Sequence, residues 1–272
     1  MKLFKGKISV LMPAFNEGHH IYENLRETHK VFSRSKCKFE ILLIDDGSSD
    51  NTFSEAERAL HDLGSIVPVR TESNHGKGNA LRKGFAHVTG DYVVFLDADL
   101  DLHPKQIHDM LRVMRDQQAH VIVGSKHHPD SKLNYPPLRT VFSKVYAIAL
   151  KVLFNLPLRD TQTGLKVFQY EVLADIFHRV LCKRYAFDVE LLANAHHFGY
   201  KIVESPVALD YRSEVKWGRI KPIDVYHMGI DTLAIFYRMH ILKYYDHAAP
   251  GTETVAESGE TVKVMGAGEV SK

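Results

Sequence analysis

The chain has 272 residues, of which 44% are hydrophobic and 25% charged, a composition typical of a globular protein with a substantial core. Its formal net charge of +2 gives no general argument for nucleic-acid binding, so any basic function must be local. Cys37 and Cys182 cannot form a disulfide framework, and we expect two reduced thiols in a cytosolic protein. The first apolar run stops at Pro13, which is too short for a signal peptide, and no uncharged run of about 18 residues suggests a membrane span.

Strand and helix signals alternate over the first 125 residues. Short apolar runs predict the strands, and apolar residues at helical spacing predict the helices. In chain order we predict a strand at 8–12, a helix at 17–33, a strand at 39–44, a helix ending near 63, a strand at 66–69, a helix at 77–87, a strand at 92–96, a helix at 104–115 and a strand at 121–124. This alternation predicts an α/β fold with a mostly parallel sheet covered on both faces.

The pattern changes after residue 125. We predict a loop at 126–137, a helix at 138–154, strands at 166–168 and 201–207, and a helix at 186–197 between those strands. Residues 224–245 predict a long helix with a wide apolar face and flanking basic residues, which suits a membrane interface but equally suits docking on the protein's own core or on another subunit. Residues 247–272 have almost no large apolar side chains, and we expect a disordered tail.

Three carboxylates, Asp97, Asp99 and Asp101, directly follow the apolar run at 92–96. Loops at the carboxyl ends of strands in open α/β sheets bind ligands. Carboxylates at alternate positions in such a loop suit Mg²⁺ or Mn²⁺, which prefer oxygen ligands. A solvated acidic turn is the alternative interpretation of this cluster by itself.

Three further segments, at positions 13–17, 45–48 and 74–80, also follow predicted strands, as residues 97–101 do. The first two of these supply an aromatic ring and acidic acceptors, which suit a nucleobase and a ribose. The segment at 74–80 supplies glycines and a lysine, which let a diphosphate approach the backbone and meet a positive charge. The acidic cluster would hold the metal that bridges this diphosphate.

These segments, in this order, resemble the family-2 inverting glycosyltransferases of the GT-A (Rossmann-like) fold. Within them the chain is similar to the dolichyl-phosphate mannose and glucose synthases and their bacterial polyprenyl-phosphate relatives. The closer similarity is carried by residues 97–101, 160–168 and 187–190, and the resemblance covers about residues 7–245. It implies a catalytic domain at 1–215, an amphipathic, membrane-interface helical segment at 216–246 and the tail at 247–272.

The resemblance also implies a nucleotide-sugar donor, which we expect to be UDP-glucose or GDP-mannose, with a weak preference for glucose. The residues expected to bind this donor are Pro13, Phe15, Glu17 and Asp46 at the nucleoside, Lys77, Asp97 near the ribose or sugar, and Asp188 and Glu190. Asp99 and Asp101 are expected to bind Mg²⁺ or Mn²⁺, although relatives often have another polar residue at the position of Asp101.

The reaction implied is attack by a polyprenyl-phosphate oxygen on the anomeric carbon with inversion. Catalytic roles are expected for Asp99, Asp160, Arg139 and Arg212. Cations are expected to hold the acceptor phosphate, and the candidates are Arg139, Arg212, Lys216 and Arg219. Relatives often carry a Gly-Ser-Lys triplet near residues 218–220, from which this chain departs.

We therefore expect a peripheral enzyme on the cytoplasmic, inner face of a membrane, contacting the bilayer through residues 220–245. Nucleic acid is not expected as a partner, and the sequence leaves a homo-oligomer or a membrane-protein partner open. Alternatives are transfer to a polysaccharide or protein acceptor, a nucleotidyltransferase, which also uses acidic residues and Gly/Lys loops, and a catalytically inactive binding protein.

Overall fold

A computed structural model describes residues 6–35, 37–131, 137–183, 186–209, 222–248 and 262–265. In chain order the elements are β1 (Lys7–Ala14), α1 (Ile21–Ser33), β2 (Lys38–Asp45), α2 (Thr52–Leu63), β3 (Ile66–Arg70), α3 (Lys77–Phe85), β4 (Tyr92–Phe95), α4 (Gln106–Asp116), β5 (Val121–Ser125), α5 (Pro137–Phe154), β6 (Lys166–Gln169), α6 (Tyr170–Ile176), α7 (Phe187–His197), β7 (Ile202–Pro206), α8 (Pro222–Phe236), a π-helix (Tyr237–Ile241), α9 (Tyr244–His247) and β8 (Lys263–Val264).

The strands form one sheet in the order β7-β5-β6-β4-β1-β2-β3-β8. β1 pairs in parallel with β2 and β4, β2 with β3, and β5 with β7, whereas β6 and β8 run antiparallel to their neighbours. The predicted mostly parallel sheet with flanking helices is confirmed. Because β4, β1 and β2 are adjacent and parallel, the loops that follow them meet at one edge of the sheet.

Both faces of the sheet are covered by helices, which explains the near-continuous apolar strands. In β1, Ile8, Val10 and Met12 belong to one core layer, which includes buried residues of α1, α2 and α4. Leu11 points the other way into a second layer, built with α3, α5, α6 and α7.

The C-terminal segment, defined as residues 222–248, is not the single long helix predicted for residues 224–245. A π-helix interrupts it, and Lys243 has a φ of 50°, so α9 begins in a new direction. Ile235, Met239 and Tyr245 are buried in the second core layer. The segment therefore docks on the protein's own core through one face. Among the described residues, no helix combines the length and apolarity that crossing a bilayer requires.

A buried polar cluster holds this docked segment to α7. Glu190 of α7 is fully buried and accepts hydrogen bonds from the backbone N–H groups of Leu181 (2.8 Å) and Cys182 (2.6 Å). Its other oxygen accepts from Arg238 Nη2 (2.9 Å) and the Tyr245 hydroxyl (2.5 Å). Burial and the Glu190 carboxylate both raise the pKa of Tyr245, so the phenol stays protonated and donates.

The tail differs from the prediction at residues 262–265. Lys263–Val264 form β8, which pairs antiparallel with β3, and the Lys263 ammonium lies 3.1 Å from the Glu57 carboxylate. This short strand covers part of the β3 edge, which would otherwise expose unpaired backbone groups. Apolar side chains add to the backbone pairing, because Val262 and Val264 pack against the second core layer and Met265 packs against the first.

Replacement of Arg238 should destabilise the protein strongly. Arg238→Met leaves the Glu190 carboxylate buried without its charged partner, and we expect the free energy of unfolding to fall by about 3–5 kcal/mol. Urea unfolding measures this change. Arg112→Met is the matched control, because Arg112 pairs with Asp109 on the exposed surface of α4, and its loss should cost less than about 1 kcal/mol. Equal losses in the two variants would contradict a structural role for the cluster.

Candidate functional site

The predicted strand-end segments do meet, in a cleft at the carboxyl ends of β4, β1, β2 and β3. The cleft has a volume of about 290 Å³. Its lining includes seven of the predicted site residues: Pro13, Phe15, Glu17, Asp46, Lys77, Asp97 and Asp99. A second cleft of about 360 Å³ lies near Tyr92 and Gln169, at the opposite end of β4, and no carboxylate lines it. The first cleft is therefore the candidate site for a metal–diphosphate group.

Phe15 presents an aromatic ring to this cleft and is 46% exposed. The turn that carries it is tied to the loop after β2, because Asn16 N donates to Ser48 Oγ (2.9 Å) and Ser49 N donates to Asn16 Oδ1 (3.0 Å). Glu17 N also donates to Thr52 Oγ1 (2.9 Å). These bonds hold an exposed apolar ring at the rim, where a planar group could stack on it.

Asp46 is 4% exposed and supports the glycine turn that starts α3. Its carboxylate accepts hydrogen bonds from the backbone N–H groups of Gly76 (2.7 Å) and His75 (3.2 Å). Gly76 has a φ of 97°, which L side chains rarely adopt. Burial raises the pKa of Asp46 above its ordinary value, although these two N–H groups oppose the shift. Asp46 therefore shapes the turn before Lys77 as well as lining the cleft.

Lys77 begins α3 and forms an ion pair with Asp97, with 2.6 Å between Nζ and Oδ1. Burial opposes the charged ammonium, but Asp97 more than compensates and raises the pKa of Lys77. Burial likewise opposes the Asp97 carboxylate, and Lys77 then lowers the pKa of Asp97 below its ordinary value. Both groups are therefore charged at neutral pH, and the cleft holds a fixed positive and negative charge side by side.

The acidic cluster is held by a tight turn in which the buried Leu100 has a φ of 52°. Asp101 N donates to Asp99 Oδ1 (3.2 Å), and Asp99 lines the cleft whereas Asp101 does not. Within the described ranges, no three His, Cys, Asp or Glu residues are grouped as metal ligands. The Asp99 carboxylate nevertheless fits Mg²⁺, because protein sites for this ion commonly use one or two carboxylates together with substrate phosphates.

Asp160 shapes the turn at residues 160–164. It accepts hydrogen bonds from Thr163 Oγ1 (2.7 Å), Lys126 N (3.0 Å) and Gln162 N (3.1 Å). The turn passes so close to the cleft that a Cβ on Gly164 would lie 1.8 Å from Asp97 Oδ2. The structure thus places Asp160 in the wall behind Asp97.

A fully buried lysine, which the sequence analysis did not single out, lies beneath this wall. Lys166 of β6 donates a hydrogen bond to Asp188 Oδ1 of α7 (2.7 Å) and another to the Thr163 carbonyl. A detectable signal existed, because Lys166 stands between the apolar residues Leu165 and Val167 at the start of β6. A charge at such a position is buried and needs a partner.

α3 and α7 are in close contact beside the cleft. Gly78 N donates to Lys183 O (3.0 Å), and a Cβ on Gly78 would lie 2.5 Å from the Phe187 ring. This contact places Asp188, the next residue of α7, beneath the cleft.

The remaining predicted residues are not brought to the cleft. Glu190 lies in the buried cluster with Arg238, so its assignment to donor binding has no support in the geometry. Arg139 lies in α5, with its side chain outside the described part of the structure. Arg212, Lys216 and Arg219 lie in residues 210–221, outside the described residues.

Substitution of Gly164 should displace Asp97. The added methyl group of Gly164→Ala overlaps the Asp97 carboxylate, so we expect the free energy of unfolding to fall by about 1–3 kcal/mol. Urea unfolding provides the measurement. Gly229→Ala in α8 is the control, because its Cβ would meet no atom within 4 Å, and this variant should not be destabilised. Equal stability of the two variants would contradict the close approach of the turn to Asp97.

Comparisons with known proteins identify the family of the chain. The chain is 26% identical over 238 residues to glycosyltransferase AglD of Haloferax volcanii, covering 86% of this chain but only 38% of that protein. It is 29% identical to a dolichyl-phosphate beta-glucosyltransferase of Trichomonas vaginalis, covering 88% of this chain and 76% of the relative.

The fold is shared with glucosyl-3-phosphoglycerate synthase of Mycobacterium tuberculosis, solved in complex with Mn²⁺, UDP and glucosyl-3-phosphoglycerate. The TM-score is 0.63 at 21% identity, over 86% of this chain and 79% of that one. Residues 9–187 match the profile of glycosyl transferase family 2. The chain belongs to glycosyltransferase family 2.

Proposed function

We propose that this glycosyltransferase transfers a hexose from a nucleotide sugar, UDP-glucose or GDP-mannose, to a polyprenyl phosphate with inversion at the anomeric carbon. One observation carries the donor part of the proposal: Phe15, Lys77, Asp97 and Asp99 line one cleft, which combines an exposed aromatic ring, a cation and carboxylates of the kind that suit a divalent metal. The similarity to a dolichyl-phosphate beta-glucosyltransferase over most of both chains supports the acceptor and favours glucose.

In the proposed reaction an acceptor phosphate oxygen forms a bond to the anomeric carbon as the bond from that carbon to the donor diphosphate breaks. A phosphate monoester is already anionic at neutral pH, so no strong general base is needed. The developing charge on the departing nucleoside diphosphate must be stabilised, and Lys77 places a fixed ammonium in the cleft for this purpose.

Asp99, with Asp101 beside it, would hold the divalent cation. Bound Mg²⁺ or Mn²⁺ would neutralise negative charge on the diphosphate of the donor. Asp160 would act on the sugar end of the donor indirectly, by shaping the turn at residues 160–164 that lies against Asp97. We assign Arg139, Arg212, Lys216 and Arg219 to the acceptor phosphate, on the basis of their charge and their positions in the sequence.

The test is incubation of the purified protein with Mg²⁺ or Mn²⁺, a labelled nucleotide sugar and a polyprenyl phosphate. Labelled lipid and free nucleoside diphosphate are expected. Release of pyrophosphate from a nucleoside triphosphate would indicate a nucleotidyltransferase instead. Folded protein that labels no lipid with any common donor would overturn the proposal.

Loss of Asp99 should abolish metal-dependent turnover. Asp99→Ala removes the carboxylate that we assign to the metal, and we expect the rate to fall at least about 100-fold while the melting temperature changes little. Asp109→Ala is the control, because the Asp109 side chain is 70% exposed on α4, and its rate should be unchanged. Unchanged turnover in Asp99→Ala would contradict the metal assignment.

We further propose that the outer face of the C-terminal segment, together with α5, contacts the membrane. This apolar face is defined by exposed side chains on α5 and on the C-terminal segment, which touch through Tyr146 and Thr232, whose hydroxyl oxygens are 2.9 Å apart. Its members are Val145, Ile148, Val152, Ile223, Val225, Tyr226, Ile230, Leu233, Tyr237, Ile241 and Leu242. The free thiols of Cys37 and Cys182 support a reducing compartment, and we place the protein on the cytoplasmic face as a peripheral enzyme.

Charge introduced into the apolar face should weaken membrane binding. Leu233, which is 61% exposed, can be changed to Glu without disturbing the docked side of α8. We expect Leu233→Glu to reduce co-sedimentation with anionic phospholipid vesicles, because a charged group disfavours insertion of the face. Lys105→Glu, on an exposed residue at the start of α4, is the control. Equal vesicle binding by wild type and Leu233→Glu would contradict this orientation.

A further inference from the structure

Lys166 is a fully buried cation that the proposed reaction does not use. It lies in β6 next to the end of β4, where it is registered with Phe95. Transfer of an ammonium to the protein interior is unfavourable unless it is paired, and a hydrophobic residue of similar size is often at least as stabilising. The presence of Lys166 therefore calls for a role other than filling the core.

The contacts of Lys166 lead directly to the donor cleft. Its ammonium donates to the Thr163 carbonyl and to Asp188 Oδ1, the latter at 2.7 Å. Thr163 precedes Gly164, whose backbone lies against the Asp97 carboxylate. Lys166 thus holds the turn that fixes one side of Asp97, while Lys77 holds the other side at 2.6 Å.

The charges alternate along this path. Asp188 of α7, Lys166 of β6, Asp97 after β4 and Lys77 of α3 form a series of opposite neighbours. Lys166 interacts electrostatically with the other three, and Lys77 interacts with both Asp97 and Asp188. Burial lowers the pKa of Lys166, and the Asp188 and Asp97 carboxylates oppose that shift.

We propose that Lys166 and Asp188 are a positioning pair for the donor site. Lys166 keeps the turn at residues 160–164 against Asp97, and Asp188 holds the Lys166 side chain in place. Asp97 and Lys77 are thereby presented to the nucleoside diphosphate in one fixed arrangement. This inference rests on the proposed donor, and it assigns Asp188 an action through Lys166 rather than a contact with the sugar.

The experiment compares Lys166→Met with the double variant Lys166→Met/Asp188→Asn. The single variant leaves a buried, unpaired carboxylate, whereas the double variant removes both charges and should recover much of the lost melting temperature. Binding of UDP and of GDP with Mn²⁺ is measured by calorimetry, and the KM values of the nucleotide sugar and of polyprenyl phosphate are measured separately.

We expect both variants to bind the nucleoside diphosphate about 10–100-fold more weakly and to show a similar rise in donor KM, because supporting groups around a binding site contribute on this scale. The acceptor KM should stay within about twofold of wild type in the same assays, since Lys166 supports only the donor side in this scheme. Lys105→Met is the control for removal of a lysine, and it should match wild type in every measurement.

A purely structural pair would give a different result. The double variant, once folded, would then bind nucleoside diphosphate and donor as the wild type does, and that outcome would overturn the inference. If wild type and variants bind the nucleoside diphosphate with the expected difference but no lipid is labelled, the positioning pair stands and the proposed acceptor fails. If the wild type binds neither UDP nor GDP, both proposals fail.

Discussion

Two fully buried ionisable side chains, Lys166 and Glu190, each have an oppositely charged partner within hydrogen-bond distance, and these two pairs organise the side of the sheet that carries α3 and α7. Asp188 and Glu190, two residues apart on α7, point to different partners. Asp188 holds Lys166 of the central strand β6, and Glu190 holds Arg238 of the C-terminal segment. The first turn of α7 is therefore held on two sides. Because an unpaired buried charge is costly, neither contact can be lost without a large penalty.

This arrangement explains why the sequence predicted the residues that line the cleft better than the buried residues that hold them in place. Phe15, Asp46, Lys77, Asp97 and Asp99 each follow a strand, so local pattern and the rule for parallel strand ends were sufficient to bring them together. The partner of Glu190, in contrast, lies 48 positions further along the chain. Single-sequence pattern contains no information about such a pairing, and a carboxylate in a family motif is easily taken for a ligand contact.

The element boundaries show the same division between local and tertiary effects. The first helix was predicted from residue 17 but begins at Ile21, because Glu17 O accepts from His20 N and Ile21 N in a preceding turn. α6 was missed, since it has seven residues and follows β6 with no intervening turn. β8 could not be predicted either, because its two residues are strand only through pairing with β3.

The amphipathic C-terminal helix was predicted to lie on a membrane, on the protein's own core or on another subunit. The described residues show the second arrangement on one face, through Ile235, Met239 and Tyr245, while the opposite face remains apolar and exposed. The membrane and core interpretations are therefore compatible, and the docked face would fix the distance between the donor cleft and any surface that the exposed face meets.

The contact between Gly78 and Phe187 has a consequence for variation in this fold. The two positions share a single volume, because the phenyl ring occupies the space that a side chain at 78 would need. Their sizes are therefore inversely constrained: a chain with a larger residue at 78 must carry a smaller one at 187 or separate α3 from α7. Since Lys77 and Asp188 adjoin these positions, a larger residue at 78 without a smaller one at 187 would change the spacing of two charges without altering either charged residue.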